Sequence, residues 1–156
     1  MPQEKTLVAR QHEVKPKHEQ HGDYEYFKHL IAPRQGNQCT VAIMEVPPLK
    51  SSYPYHYHVA VTEVFYIISG EGLLKTPDGE QSVAAGDVIV FPPGKAGSHK
   101  ITNSSATETL RYLDMDTTAQ ADVAVYPDSG KVGLILNGVH GDDYRTDSAV
   151  DYYDGE

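Results

Sequence analysis

A chain of 156 residues is long enough for one domain with a sizeable core and too short for two. Its 22 acidic against 13 basic residues give a formal charge of −9 with the cations scattered. That pattern excludes nucleic acid as a general partner, because phosphate contacts need concentrated basic surface.

One cysteine, Cys39, excludes an internal disulfide. No leader-like segment stands out, and no run of about 20 apolar residues is present to span a membrane, so the cytoplasm is the expected setting. Eleven tyrosines against three phenylalanines, with no tryptophan, suit half-buried strands whose rings keep their hydroxyls near water. The expected fold class is all-β.

In chain order, residues 1–22 are polar, with His12, His18 and His21 interleaved among Lys and Glu. They show neither strand alternation nor a helical stripe, so they predict an extended or partly ordered arm whose histidines are solvated rather than gathered into a second metal site. Residues 24–31 are the first expected strand, with His29 structural, and Pro33-Arg34-Gln35-Gly36-Asn37 is a turn. Residues 39–46 are the second strand, stopped by Pro47-Pro48. In residues 53–58 the histidines take one face and Tyr53, Tyr55 and Tyr57 the other, where the rings are expected to pack between sheets or at a subunit contact.

Residues 62–68 follow. Phe65 and Ile67 share the parity of Glu63 and face the interior, while Val64, Tyr66 and Ile68 form a second apolar face that needs a cover. A symmetric homodimer is the expected cover. Pro77-Asp78-Gly79 turns the chain, Gly86 precedes the apolar run 88–91, and residues 109–115, 122–126 and 131–136 are further strands. The division is a polar N-terminal arm (1–22), a single β-barrel domain (23–136) and an acidic C-terminal tail (137–156).

Two histidine-bearing segments dominate this domain. His56 and His58 are two apart, so on a strand they point the same way about 6 to 7 Å apart, within reach of one metal. After four intervening residues comes Glu63, expected on the partner strand near His58, and the turn signals between residues 70 and 94 would bring His99 back to the same place. Three imidazoles and a carboxylate suffice to hold a divalent transition metal with positions left for a ligand. Asn103 is expected to satisfy backbone groups at a turn rather than to touch metal.

His56-x-His58, four residues, Glu63, six residues, Gly70 resembles the first motif of the cupins. Gly86, five residues, Pro92-x-Gly94, then His99, three residues, Asn103 resembles their second, except that four residues separate Gly94 from His99 where two are usual. The resemblance implies a double-stranded β-helix, a jelly-roll barrel, holding one metal per chain (Fe, Mn, Zn or Ni) on His56, His58, Glu63 and His99. The stretch from Tyr126 to Lys131 and the closing Asp-Tyr-Tyr-Asp-Gly-Glu also resemble a subgroup of small single-domain cupins labelled sugar-phosphate isomerases.

The expected activity is therefore metal-dependent chemistry on a small-molecule substrate. Isomerisation with the metal as Lewis acid stands first; an Fe(II)-type dioxygenase and a non-catalytic binder are the alternatives. No residue stands out in the sequence as the catalytic base. Lys75, Lys95, Lys100 and Arg111 are the cations considered for an anionic substrate group.

Overall fold

The structure is a computed structural model and describes residues 5–33 and 36–156. The expected turn at 33–37 therefore lies partly outside the described residues, at Arg34 and Gln35, as does the start of the arm. Thirteen strands follow in order: β1 Lys17–His21, β2 Tyr24–Ala32, β3 Cys39–Val46, β4 Tyr57–His58, β5 Glu63–Ser69, β6 Glu71–Thr76 and β7 Gly79–Ala84. They continue with β8 Val88–Phe91, β9 Lys100–Asn103, β10 Leu110–Thr117, β11 Ala121–Tyr126, β12 Lys131–Leu136 and β13 Val139–Arg145. Short 3-10 turns sit at Gln11–Glu13, Lys95–Gly97 and Thr146–Ser148. No helix among the described residues is long and apolar enough to cross a membrane.

One layer is a six-stranded sheet in the order β1-β2-β3-β10-β5-β8. The facing layer combines β13-β12-β11-β4 with β7-β6-β9, joined where His56 and His99 exchange backbone hydrogen bonds (3.1 and 2.9 Å). All pairings between strands are antiparallel, which gives the double-stranded β-helix.

Alternation in the sequence fixes what faces inward. On β3 every second residue is buried, Thr40, Ala42, Met44 and Val46; on β10 the buried set is Leu110, Tyr112, Asp114 and Asp116. Met44, Val46, Ile67, Leu74, Ile101, Leu110 and Tyr112 fill one end of the barrel. At the other end the inward residues become small or polar. Across the sheet, Ala42 pairs with Asp114 and Asp114 with Phe65; one row on, Thr40 pairs with Asp116 and Asp116 with Glu63. Small side chains there leave a cavity of about 420 Å³ where the rest of the barrel is packed.

Both ends carry strands that the sequence pattern did not mark. The arm contains β1, which pairs with β2 from Lys17–Lys28 to His21–Tyr24, and His29 anchors the approach to it by hydrogen-bonding the Val14 carbonyl (3.0 Å) and Glu45 (3.2 Å). The tail contains β13, because Asn137 and Gly138 both have positive φ (51° and 75°) and make a two-residue hairpin with β12. His18 lies flat on Phe27 and His21 meets Glu19, so the arm's histidines do not converge on one another.

Candidate metal centre

His56 immediately precedes the two-residue β4 and His58 ends it, Glu63 opens β5, and His99 immediately precedes β9. The expectation that Glu63 lies on the strand paired with His58 is wrong. His58 pairs with Ala124 in one layer, while Glu63 pairs with Phe91 and Asp116 in the other. The carboxylate therefore reaches the histidines across the barrel interior. Its Oε2 lies 3.1 Å from His99 Nε2 and 3.9 Å from both His56 Nε2 and His58 Nε2. Ligand atoms of His56, His58 and Glu63 all lie within 4.8 Å of one another.

The other side of each imidazole is occupied. His56 Nδ1 bonds the Pro54 carbonyl (2.8 Å), His99 Nδ1 the Gly97 carbonyl (2.8 Å) and His58 Nδ1 the Asp122 carboxylate (2.6 Å). Those acceptors require a proton on each Nδ1, which leaves all three Nε2 atoms as lone-pair donors turned toward Glu63. Rings hold the imidazoles in place: Phe91 stacks on His99 with centroids 3.6 Å apart, and Tyr126 stacks on His56 at 5.7 Å.

His99 Nε2 and Glu63 Oε2 are buried without a hydrogen-bond partner. Unsatisfied buried groups are costly, and a divalent cation satisfies this set, since three neutral imidazoles and one carboxylate are the donor types of Zn, Fe, Mn and Ni sites. Two of the charge states favour a cation, a neutral His56 and an ionised Glu63, whereas in the metal-free chain the Glu63 charge draws protons toward His58 and His99. Burial pushes the His56 ring down to about 4. Burial opposes ionisation of Glu63, but His99 and then the other two histidines overcome it and hold the carboxyl well below its usual range. For His58, burial is outweighed by the Asp122 hydrogen bond and the Glu63 charge, and its pKa rises; His99 rises through Glu63 in the same way.

The four-residue spacing between Gly94 and His99 is absorbed by the 3-10 turn. Gly97 N–H bonds the Gly94 carbonyl (2.9 Å), and Gly94 N–H bonds the His58 carbonyl (2.7 Å), so the loop is tied directly to β4. Asn103 is fully buried and structural: its Nδ2 donates to the Val46 and Glu108 carbonyls (2.9 and 2.8 Å), and its Oδ1 accepts from Ser105 N–H (3.0 Å).

Residues 42–116 match the Cupin domain family. The chain carries a cupin domain. Among solved structures, this cupin is 25% identical to a presumptive sugar phosphate isomerase from Acidithiobacillus ferrooxidans, over 93% of this chain and 95% of that one, with a TM-score of 0.77. A sugar phosphate isomerase from a cupin superfamily in Silicibacter pomeroyi is 20% identical over 83% of this chain and 82% of its own, with a TM-score of 0.70, a likeness of fold. A predicted oxalate decarboxylase from Thermotoga maritima is 25% identical over 72% of this chain and all of that one, with a TM-score of 0.64. No curated protein matches the sequence.

Around the cupin's histidines, the cavity is lined by several residues that the sequence reading did not assign to it. Tyr53 lines it, whereas it was expected to pack between sheets or at a subunit contact. None of Lys75, Lys95, Lys100 and Arg111 lines it: Lys75 pairs with Asp128, Lys100 sits over the Tyr24 ring and Arg111 binds Glu45. Among the described residues, the cations that do are Lys17 and Lys28, from β1 and β2. Asp114 and Asp116 line it as well. Asp114 is 2% exposed, its Oδ2 lies 3.5 Å from Lys28 Nζ and its Oδ1 has no hydrogen-bond partner. Burial, only partly offset by Lys28, pushes its carboxyl up to about 7. The signal was in the sequence: Asp114 and Asp116 share the inward parity of Leu110 and Tyr112.

Proposed function

We propose that this cupin holds one divalent transition metal per chain on His56, His58, Glu63 and His99 and interconverts a small hydroxy-carbonyl compound, as a sugar-phosphate isomerase does. The observation that carries the reading is the pairing of two things in one cavity: a donor set with its Nδ1 atoms tied and its Nε2 atoms open, and a buried carboxyl with an unpartnered oxygen. The resemblance to the Acidithiobacillus protein over nearly the whole chain supports the substrate class. A cytoplasmic setting suits such a substrate.

The metal supplies a Lewis acid that polarises a substrate carbonyl. Everything else falls to the chain. Asp114 Oδ1 takes the proton from the carbon beside the carbonyl and returns it to the neighbouring carbon, while the hydroxyl proton moves to the carbonyl oxygen; no net oxidation occurs. A carboxyl at about 7 is matched to this task near neutral pH, able both to accept and to return the proton. Glu63 is unsuited to it because its lone pairs serve the metal. Leu30, Ala124 and Ile135 provide apolar wall and limit water at the reacting carbon.

The test is isomerisation of a panel of aldose and ketose phosphates in D₂O, followed by NMR, with protein reconstituted separately with Zn, Mn, Ni and Fe(II). The expected result is an isomer carrying deuterium at the carbon that exchanges. The Asp114→Asn variant should keep its metal and lose the exchange. Fe(II)-dependent oxygen uptake with no isomer formed would replace this reading with a dioxygenase, and binding without either would leave a non-catalytic protein.

A further inference from the structure

The cavity has a second end. There β1 and β2 deliver Lys17 and Lys28, which are direct cross-strand partners. Residues directly opposite in an antiparallel pair share a face, and two like charges so placed destabilise the pairing. These are the only Lys or Arg side chains among the described residues that line the cavity. Both strands precede residue 42, so this end is built from chain outside the cupin-domain match.

Neither ammonium is saturated. Lys28 is largely buried, and its Nζ makes two long contacts, 3.3 Å to Tyr53 Oη and 3.5 Å to Asp114 Oδ2. Charge-assisted bonds are normally about 2.7–2.9 Å, and an ammonium has three donors. Burial opposes the charge on Lys28, but the field of Asp114, then Asp116 and Glu63, overcomes it and raises its pKa. Lys17 is mostly exposed and reaches Glu19 at 2.7 Å. Among the described residues the cavity's carboxylates are Glu63, Asp114 and Asp116, set against two ammoniums; with the proposed divalent metal counted as well, one positive charge is left over. That surplus suits an anionic ligand group.

We propose that Lys17 and Lys28 form an oxyanion-binding end of the cavity, which takes the phosphate or carboxylate of a substrate whose other end reaches the histidine–glutamate cluster. The surplus charge and the placing of the substrate's other end rest on the proposed function; the two under-bonded ammoniums do not. Substrate selection then comes from the N-terminal strands, while the metal centre stays in the cupin domain.

Isothermal titration of inorganic phosphate, and separately of acetate, into the full chain as purified tests this, with metal content measured alongside so that loss of the metal reading is seen independently. Saturable phosphate binding is expected, weakened about tenfold or more in Lys28→Met and in the charge-reversed Lys17→Glu, and largely retained in Lys28→Arg. A preference for phosphate assigns a phosphate ester, and an equal or better response to acetate assigns a carboxylate; either supports the site. Lys17 is exposed, so its variant keeps the test open if Lys28→Met does not fold. Absence of saturable binding by both anions overturns the proposal, as does phosphate affinity unchanged in Lys17→Glu. Phosphate binding insensitive to both lysines and lost in His58→Ala would place the anion on the metal and also overturn it.

Discussion

His58 shows how one side chain outside the ligand set decides what a ligand can do. Asp122 accepts the His58 Nδ1 proton at 2.6 Å and also accepts from Ala60 N–H at 2.8 Å, so it fixes both the ring's tautomer and the chain after β4. Replacing such a partner typically costs 10–100-fold in metal affinity. Asp122→Asn should therefore fall within about that range in a chelator-competition titration while the barrel stays folded. Asp114 makes a different prediction. Its ordinary pKa of 3.8 rises to about 7 in the fold, so between these values the folded protein keeps a proton that the unfolded chain releases. Its contribution to stability is full below the lower value and is lost as pH rises through the upper one. In metal-stripped protein, Asp114→Asn should gain on wild type as pH rises from about 4 to 7 and level off above, by about 4 kcal/mol at most. Urea midpoints across that range check the sign. Of these residues, the histidines and Glu63 were legible as a motif; Asp122 was not, because its partner lies 64 positions away.

Strands were legible where burial alternates on one face. The sequence reading placed 39–46 and 131–136 where β3 and β12 run, and it found the turn between β6 and β7. It missed β1, whose Lys-His-Glu-Gln-His carries no apolar face, because an edge strand is held by backbone pairing to β2 rather than by burial. It also missed β13, although Asn137-Gly138 is a strong hairpin signal, because the strand itself is exposed along its length. The loop before His99 is the element whose path the motif spacing left open. There a Cβ on Gly97 would meet the Pro92 carbonyl oxygen at 1.9 Å, a distance real atoms do not adopt, and the Gly97 carbonyl is the acceptor that orients His99. Gly97→Ala must therefore shift the loop and with it His99. We expect metal affinity to drop about tenfold or more, with the circular dichroism of the barrel preserved, because the core residues Met44, Val46, Leu74 and Leu110 lie at the other end.

At the scale of the molecule, the inner and outer faces of the six-stranded sheet divide the work. The inner face packs one end of the barrel and opens the cavity at the other; the outer face of β5 and β8 leaves Tyr66, Val88 and Val90 exposed at 44%, 64% and 60%. β8 is also an edge of that sheet. An apolar edge invites pairing with a second copy, and a two-fold arrangement buries the same patch on both partners. We propose a homodimer formed through this face. Sedimentation should give twice the mass of one chain, and Val90→Lys should shift it to monomer without loss of metal. The second apolar face on 62–68 was readable from the sequence, since Val64 and Tyr66 alternate with Phe65 and Ile67. The cavity was not, because its cations and tyrosines come from β1, β2, β11 and the segment before β4, and its lining includes a small residue, Thr40, that carries no motif.

The histidine–glutamate cluster is tested most directly by elemental analysis of the full chain, purified without chelator or metal-affinity tag, for wild type and His99→Ala. About one divalent transition metal per chain is predicted for wild type and less than about a tenth of that for the variant, whose barrel should remain folded. A wild type that stays empty after reconstitution with Fe, Mn, Zn and Ni, or a His99→Ala variant that keeps its full metal content, would contradict it.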